Sequence, residues 1–185
     1  MDILNKRGFL LGMVAAGALA GCGNGINSSG SARIDGRVAE TLQFMYAEHP
    51  GTKQLALNSR AMLVMPLVTK GGFGLGGGYG RGALMINDRP VDYYSAAHAS
   101  AGLQVGVEQY SHVLFFMTSE ALQDFRSSSG WALGANVEYA LLDKSDELRA
   151  DSTTTFSPVV AVIFAQAGLR AGATLEGIKY TRIIP

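Results

Sequence analysis

The sequence predicts an α+β domain in which N-terminal helices pack on a strongly curved, mainly antiparallel, glycine-rich β-sheet or small barrel. Three observations carry this expectation. Apolar residues recur at helical spacing through Ile34, Val38, Leu42 and Met45. Residues 61–68 and 110–117 are apolar runs of strand type, the second rich in branched and aromatic side chains. A Gly-x-x-x-Gly spacing recurs at 72–76, 102–106, 130–134 and 168–172.

In chain order, the first helix carries its apolar stripe on one face and Arg33, Arg37 and Glu40 elsewhere, and His49-Pro50-Gly51 ends it. Residues 52–60 form a second short helix. The run 61–68 follows as a buried strand with Pro66 at an edge or bulge, because proline cannot donate to a ladder. After the glycine-rich strands, residues 110–117 form another strand, and Thr118-Ser119-Glu120 caps a helix through Phe125. Residues 137–143, 156–166 and 174–184 complete the sheet.

The glycines decide the character of that sheet. Gly72, Gly74 and Gly77 satisfy the spacing of a dinucleotide-binding turn, which requires a helix immediately afterwards. Gly78, Gly80 and Gly82 follow instead, and each glycine costs a helix interior about 1 kcal/mol relative to alanine. In a strand, residues i and i+4 share a face, so each recurrence gives one bare face and one carrying apolar side chains. Bare faces mark bulges, tight bends or close approach of another backbone. The stretch therefore reads as curved sheet and not as a phosphate cradle.

With 185 residues, 48% hydrophobic and 16% charged, the chain is long enough to bury a core in one domain, and its formal charge of zero gives no footprint for nucleic acid. Lys6 and Arg7 precede an apolar stretch, residues 8–21, too short to span a bilayer comfortably, which reads as a signal peptide. It ends in Leu19-Ala20-Gly21-Cys22, which looks like a bacterial lipobox whose cysteine would carry diacylglycerol. Residues 5–10 also resemble a twin-arginine export motif with lysine in the first arginine place, so either export route fits. The expected organisation is a signal peptide over 1–21, a lipidated flexible tether over 22–33 and a single domain over 34–185. Cleavage removes Asp2, Lys6 and Arg7 and leaves 13 basic against 14 acidic residues. The ten residues 23–32 reach roughly 17 Å as a random coil. Gly23 after the cysteine resembles outer-membrane sorting.

No catalytic constellation emerges. A Gly-x-Ser-x-Gly elbow is absent, His49, His98 and His112 lack metal-ligand spacing, and Asp143 to Glu147 lack the glycine and terminal glutamate of a calcium loop. Glu108, Glu138 and Glu176 fall in strand-like segments, and the sequence leaves open which faces they share. No enzyme activity, metal or cofactor is expected.

Several ordered segments resemble the SYLF domain, a lipid-binding family found in bacterial lipoproteins and eukaryotic membrane-traffic and actin-regulating proteins. They are Leu63-Val-Met-Pro66, Lys70-Gly-Gly-Phe73 with Gly76-Gly-Gly-Tyr-Gly80, Tyr94 with residues 99–106, Val113-Leu-Phe-Phe-Met117, and residues 167–172 with Leu175-Glu-Gly177. The chain departs from the family in having Ala61 or Met62 where many members have glycine, and Ala165 where serine is common. The resemblance implies binding of membrane lipids, phosphoinositides in eukaryotic members, through the N-terminal amphipathic helix and nearby basic residues. Here these are Arg33, Arg37, Lys53 and Arg60 beside the stripe of Ile34, Val38 and Leu42. The alternative packing, with the stripe on the sheet and the charges solvated, has equal standing in the sequence. The expected function is that of an envelope lipoprotein, anchored in the outer membrane through Cys22, that binds phospholipid head groups; the alternative is a protein-interaction scaffold at the envelope.

Overall fold

The computed structural model describes residues 29–132, 137–142, 157–164, 175 and 177–185. Helix α1 (Gly30–Glu48) and helix α2 (Thr52–Asn58) come first. Strand β1 (Ala61–Ile86), strand β2 (Arg89–Phe116), helix α3 (Ser119–Ser127), strands β3 (Trp131–Ala132), β4 (Val137–Leu142), β5 (Val159–Phe164) and β6 (Ile178–Ile183) follow. Among the described residues the sheet has six strands in the order β3-β6-β2-β5-β4, with β1 paired to β2. All pairings are antiparallel except β4 with β5. The α+β class and the helices preceding a curled sheet are as the sequence led us to expect.

The sheet is built around one long ribbon. β1 and β2 pair along almost their whole length and turn through Asn87 and Asp88, both at positive φ (50° and 59°). A two-residue turn with both φ values positive matches the right-handed twist of the flanking strands. The register slips between Met65 and Val68, where Pro66 sits, and the Pro66 carbonyl accepts from the Ser111 hydroxyl at 2.6 Å. That is the bulge the proline predicts.

Halfway along, the ribbon doubles back on itself. A Cβ added at Gly78 would lie 2.7 Å from Lys70 Cγ; one at Gly80 would lie 2.6 Å from the Leu67 carbonyl oxygen and 2.7 Å from Val68 Cγ2. At Gly82 it would collide with the Val64 carbonyl oxygen and lie 2.6 Å from Met65 Sδ. Residue 78 thus meets 70, 80 meets 67 and 68, and 82 meets 64 and 65, so β1 reverses about Gly74. At that bend the first two glycine recurrences face each other: Gly72 pairs with Gly106 and Gly74 with Gly102. Two residues advance on β1 while four advance on β2, which lets two paired strands follow paths of different length around the bend. Gly130 lies against the Lys179 side chain, and the fourth recurrence is outside the described residues.

Reversal produces two layers. The first half of β1 and the second half of β2 continue into β5 and β4, while the second half of β1 and the first half of β2 continue into β6 and β3. Between them Leu63, Met65, Leu114, Phe116 and Ile163 share one core with Leu84, Tyr94, Ile178 and Tyr180. Alternate residues Met62, Val64, Val113, Phe115, Val160 and Val162 form a second core with Ile34, Val38 and Met45 of α1. Both faces of the layer formed by the first half of β1, the second half of β2 and β5 are therefore buried, which is why these strands read as unbroken apolar runs. α3 closes one end with Phe125, whose ring lies 4.6 Å from Tyr94, 4.8 Å from Phe116 and 5.3 Å from Trp131. The Thr118 hydroxyl caps that helix by accepting from the Ala121 amide at 3.2 Å. Buried Asp92 ties it to β6 by pairing with both Arg126 and Arg182.

Helix α1 starts at Gly30, four residues before the first apolar stripe residue, so Arg33 belongs to its first turn. α2 stops at Asn58, because Ser59 is extended and the Arg60 amide already donates to the Phe116 carbonyl at 2.7 Å. Of the strand expected over 156–166, residues 159–164 are strand, 157 and 158 are not, and 156, 165 and 166 lie outside the described residues.

Two glycine substitutions should separate crowding from propensity. Gly82→Ala should destabilise the domain by about 3 kcal/mol or more through overpacking against the Val64 backbone, a fall in melting temperature of about 6–12 °C. Gly36→Ala, on α1 where an added Cβ meets nothing within 4 Å, should stabilise it by about 0.5–1 kcal/mol. Equal, small shifts in a thermal melt of both variants would remove the close approach as the reason for glycine at 82.

Candidate functional site

A groove runs between the two helices and the β1–β2 turn. Its wider part, about 480 Å³, is lined by Lys53, Leu57 and Arg60 on one side and by Met62, Met85 and Asp88 on the other. A second part, about 430 Å³, continues along α1 past Val38, Ala39, Leu42 and Gln43 towards Asp35 and Pro90. Tyr46, Met85 and Asp88 line both parts, so the two are continuous.

The helix geometry explains why the groove exists. Ile34, Val38, Thr41 and Met45 form the stripe that α1 buries on the sheet, Met45 at 0% exposure and Val38 at 2%. Asp35, Ala39, Leu42, Gln43 and Tyr46 form the flank beside it, at spacings of three and four. The Tyr93 hydroxyl holds the far end by donating to both carboxylate oxygens of Asp35 at 3.1 Å, and the Tyr46 hydroxyl reaches Met62 Sδ at 3.7 Å. Burial and the nearby Asp88 carboxylate raise the Tyr46 pKa, so its hydroxyl stays protonated at neutral pH.

The four basic residues named from the sequence are not one cluster. Lys53 and Arg60 line the wide end of the groove. Arg33 and Arg37 sit exposed on the first two turns of α1, where the Arg33 guanidinium donates to the Ser29 hydroxyl at 3.0 Å; neither lines the groove. A 19-residue helix spans about 28 Å, enough to hold the first turns well away from residues that follow its last. Of the expected stripe, Ile34 and Val38 are core and Leu42 lies half-buried on the flank, so the packing alternative describes the stripe itself. Cys22 lies outside the described residues. Tyr46, Met85, Asn87 and Asp88 complete the groove and went unremarked in the sequence; the Asn-Asp pair between two strand runs is a hairpin signal that would have placed the turn.

A second group of polar side chains is buried inside the doubled ribbon. His112, 0% exposed, shares a hydrogen bond at 2.8 Å between its Nε2 and the Tyr180 hydroxyl. Desolvation, helped by the Lys70 ammonium, lowers its pKa to about 3, so it is neutral in the folded protein. The Lys70 Nζ sits 4.9 Å from the Tyr110 ring centre, and burial lowers the Lys70 pKa while Glu108, its cross-strand partner, opposes that shift. Burial, reinforced by Glu108, pushes the Tyr110 hydroxyl well above its ordinary value. His112 packs between the Tyr110 and Tyr180 rings as a core residue, Lys70 and Glu108 are half-buried, and among the described residues no cluster of His, Cys, Asp and Glu could hold a metal. Of the three glutamates left open by the sequence, Glu108 faces Lys70 and the side chains of Glu138 and Glu176 lie outside the described residues.

The described residues thus form a doubled, glycine-folded ribbon with a helix-walled groove. Residues 97–182 match the Ysc84 family, described as Las17-binding protein actin regulator, and this part of the chain is consistent with a domain of the SYLF type. Comparison with the curated proteins gave no match. Among the described residues no helix is long and apolar enough to cross a membrane.

His112 gives a pH test of the fold. Its unfolded pKa is near 6.5 and its folded value about 3. The unfolded chain therefore binds an extra proton between those values. Stability is full above pH 6.5 and is lost as pH falls, with a slope approaching about 1.4 kcal/mol per pH unit. Chemical denaturation at pH 7 and pH 5 should show this loss, and His112→Gln, less stable at pH 7, should show a shallower slope over the same interval. An unchanged slope in the variant would mean that His112 is not held neutral.

Proposed function

We infer that the protein is an envelope lipoprotein, attached through diacylglycerol on Cys22, whose SYLF-type domain binds membrane phospholipid and performs no catalysis. The observation that carries the inference is the groove: Lys53 and Arg60 stand at its wide end beside an apolar wall of Met62, Met85 and Leu57. A phospholipid head presents an anion next to hydrocarbon, and a site of this composition is complementary to it. The family's printed description, a binding protein, supports a binding role over an enzymatic one.

The position of α1 fits attachment at Cys22. Gly30 follows Cys22 by eight positions, a reach of at most about 28 Å, so the first turns of α1 are the part of the fold held closest to the bilayer. Arg33 and Arg37 then face anionic lipid while the groove lies further along. Each basic group near such a surface contributes on the order of 1 kcal/mol.

A protein partner is the second reading, favoured by Leu57, which is 77% exposed on the rim of the groove, and by half-exposed Val91 near the turn. Vesicle sedimentation with the mature chain carrying Cys22→Ser distinguishes the two. Binding to anionic vesicles that weakens with salt, and roughly tenfold or more on charge reversal at Arg33 and Arg37 together, is the result expected for the lipid reading. Absence of binding to any vesicle composition would leave the protein-partner reading. In cells, Cys22→Ser should shift the protein out of the outer-membrane fraction; unchanged fractionation would contradict the anchor.

A further inference from the structure

The geometry points to a more specific occupant: the groove holds one single-chain phospholipid, a lysophospholipid, with its phosphate between Lys53 and Arg60 and its acyl chain laid along the flank of α1. This rests on the lipid reading above and adds which lipid, how many, and where.

The two parts of the groove differ in the way an amphiphile requires. The wide end carries two cations against one carboxylate, Asp88, leaving one net positive charge for a monoanionic head. Arg60 offers a planar fork that matches two phosphate oxygens, and Lys53 adds a point charge. Both side chains are exposed at the rim, so an entering phosphate keeps water on its outer side.

The continuation has a floor of Val38 and Met85 with Leu42 as a half-buried wall; it shares Asp88 with the wide end, and its other carboxylate, Asp35 at the far end, is already engaged by the Tyr93 hydroxyl. A carboxylate at that end disfavours a second anionic head and leaves the channel to hydrocarbon. Its volume of about 430 Å³ is near the lower end of the range for small-molecule sites, roughly 300–1,000 Å³, and suits one acyl chain rather than two. Each buried methylene adds about 0.8 kcal/mol, so chain length should govern affinity as strongly as head charge. Tyr46, on the boundary of the two parts with its hydroxyl kept protonated, stands where a glycerol or phosphate oxygen would pass.

The experiment uses the full chain isolated from expressing cells and reconstituted in nanodiscs of phosphatidylglycerol and phosphatidylethanolamine. A lysophosphatidylglycerol carrying a diazirine near the end of its acyl chain is added, photolysed and mapped by peptide mass spectrometry. Labelling should concentrate in residues 38–46 and 83–90 at one lipid per protein. Ala39→Trp, an exposed position whose indole would fill this part of the groove, should reduce that labelling at least fivefold while melting stays as in wild type. Lys53→Glu with Arg60→Glu should reduce it comparably. Labelling confined to residues 30–37, or unchanged in Ala39→Trp, would overturn this proposal and leave vesicle binding standing; loss of sedimentation as well as labelling in the wild type would overturn both.

Discussion

Everything above depends on backbone lying against backbone at Gly80 and Gly82. A side chain at either position would occupy the space taken by the Leu67 or Val64 carbonyl. Without that approach β1 could not reverse about Gly74, the ribbon would stay single, and Leu63 and Met65 would not share a core with Leu84 and Tyr94. Reversal also places the β1–β2 turn under α1, because both halves of β1 supply residues to the core beneath that helix. The groove is the gap left between helix flank and turn. Glycine thus acts twice: it permits the bend at residues 71–78, and it removes the steric barrier to the contact that the bend produces.

Because α1 covers the outer face of the layer formed by β1, β2 and β5, it has no apolar stripe to spare. Ile34, Val38 and Met45 are each worth about 1.5–3 kcal/mol in their present positions, which insertion of the stripe into a bilayer would forfeit along with the cover over Val64 and Phe115. An amphipathic helix that lies in a membrane must offer such a stripe. This one offers a charged first turn and a half-buried flank. On the proposed lipid reading, contact would be divided between Arg33 and Arg37, acting at long range on a surface, and the groove, acting on a single molecule.

Much of the fold was legible in the sequence because it is fixed by local rules. The period of Ile34, Val38 and Met45 located α1, Pro66 located a bulge, Thr118 located a helix cap, and the density of glycine located a curved sheet instead of a phosphate cradle. What remained hidden depends on residues far apart in the chain. No local pattern states that residue 82 meets residue 64, since that pairing is set by the length of each arm and the place of the bend. The groove was hidden for the same reason: its walls come from α1, from α2 and from the turn at Asn87 and Asp88. Arg33, Arg37, Lys53 and Arg60 looked like one patch only because they are near one another in sequence; the length of α1 and the groove lining divide them into two pairs.

The most direct test of this account is a proton–proton distance across the doubled ribbon, read as a nuclear Overhauser effect in the isotope-labelled protein. The expected result is strong cross-peaks from the Gly82 Hα protons to the Met65 methyl and to Val64, residues 17 and 18 positions earlier in the same strand. Cross-peaks from Gly82 confined to Tyr94, its partner in the β1–β2 ladder, would describe a ribbon that does not fold back, and would contradict the two-layer core and the groove together.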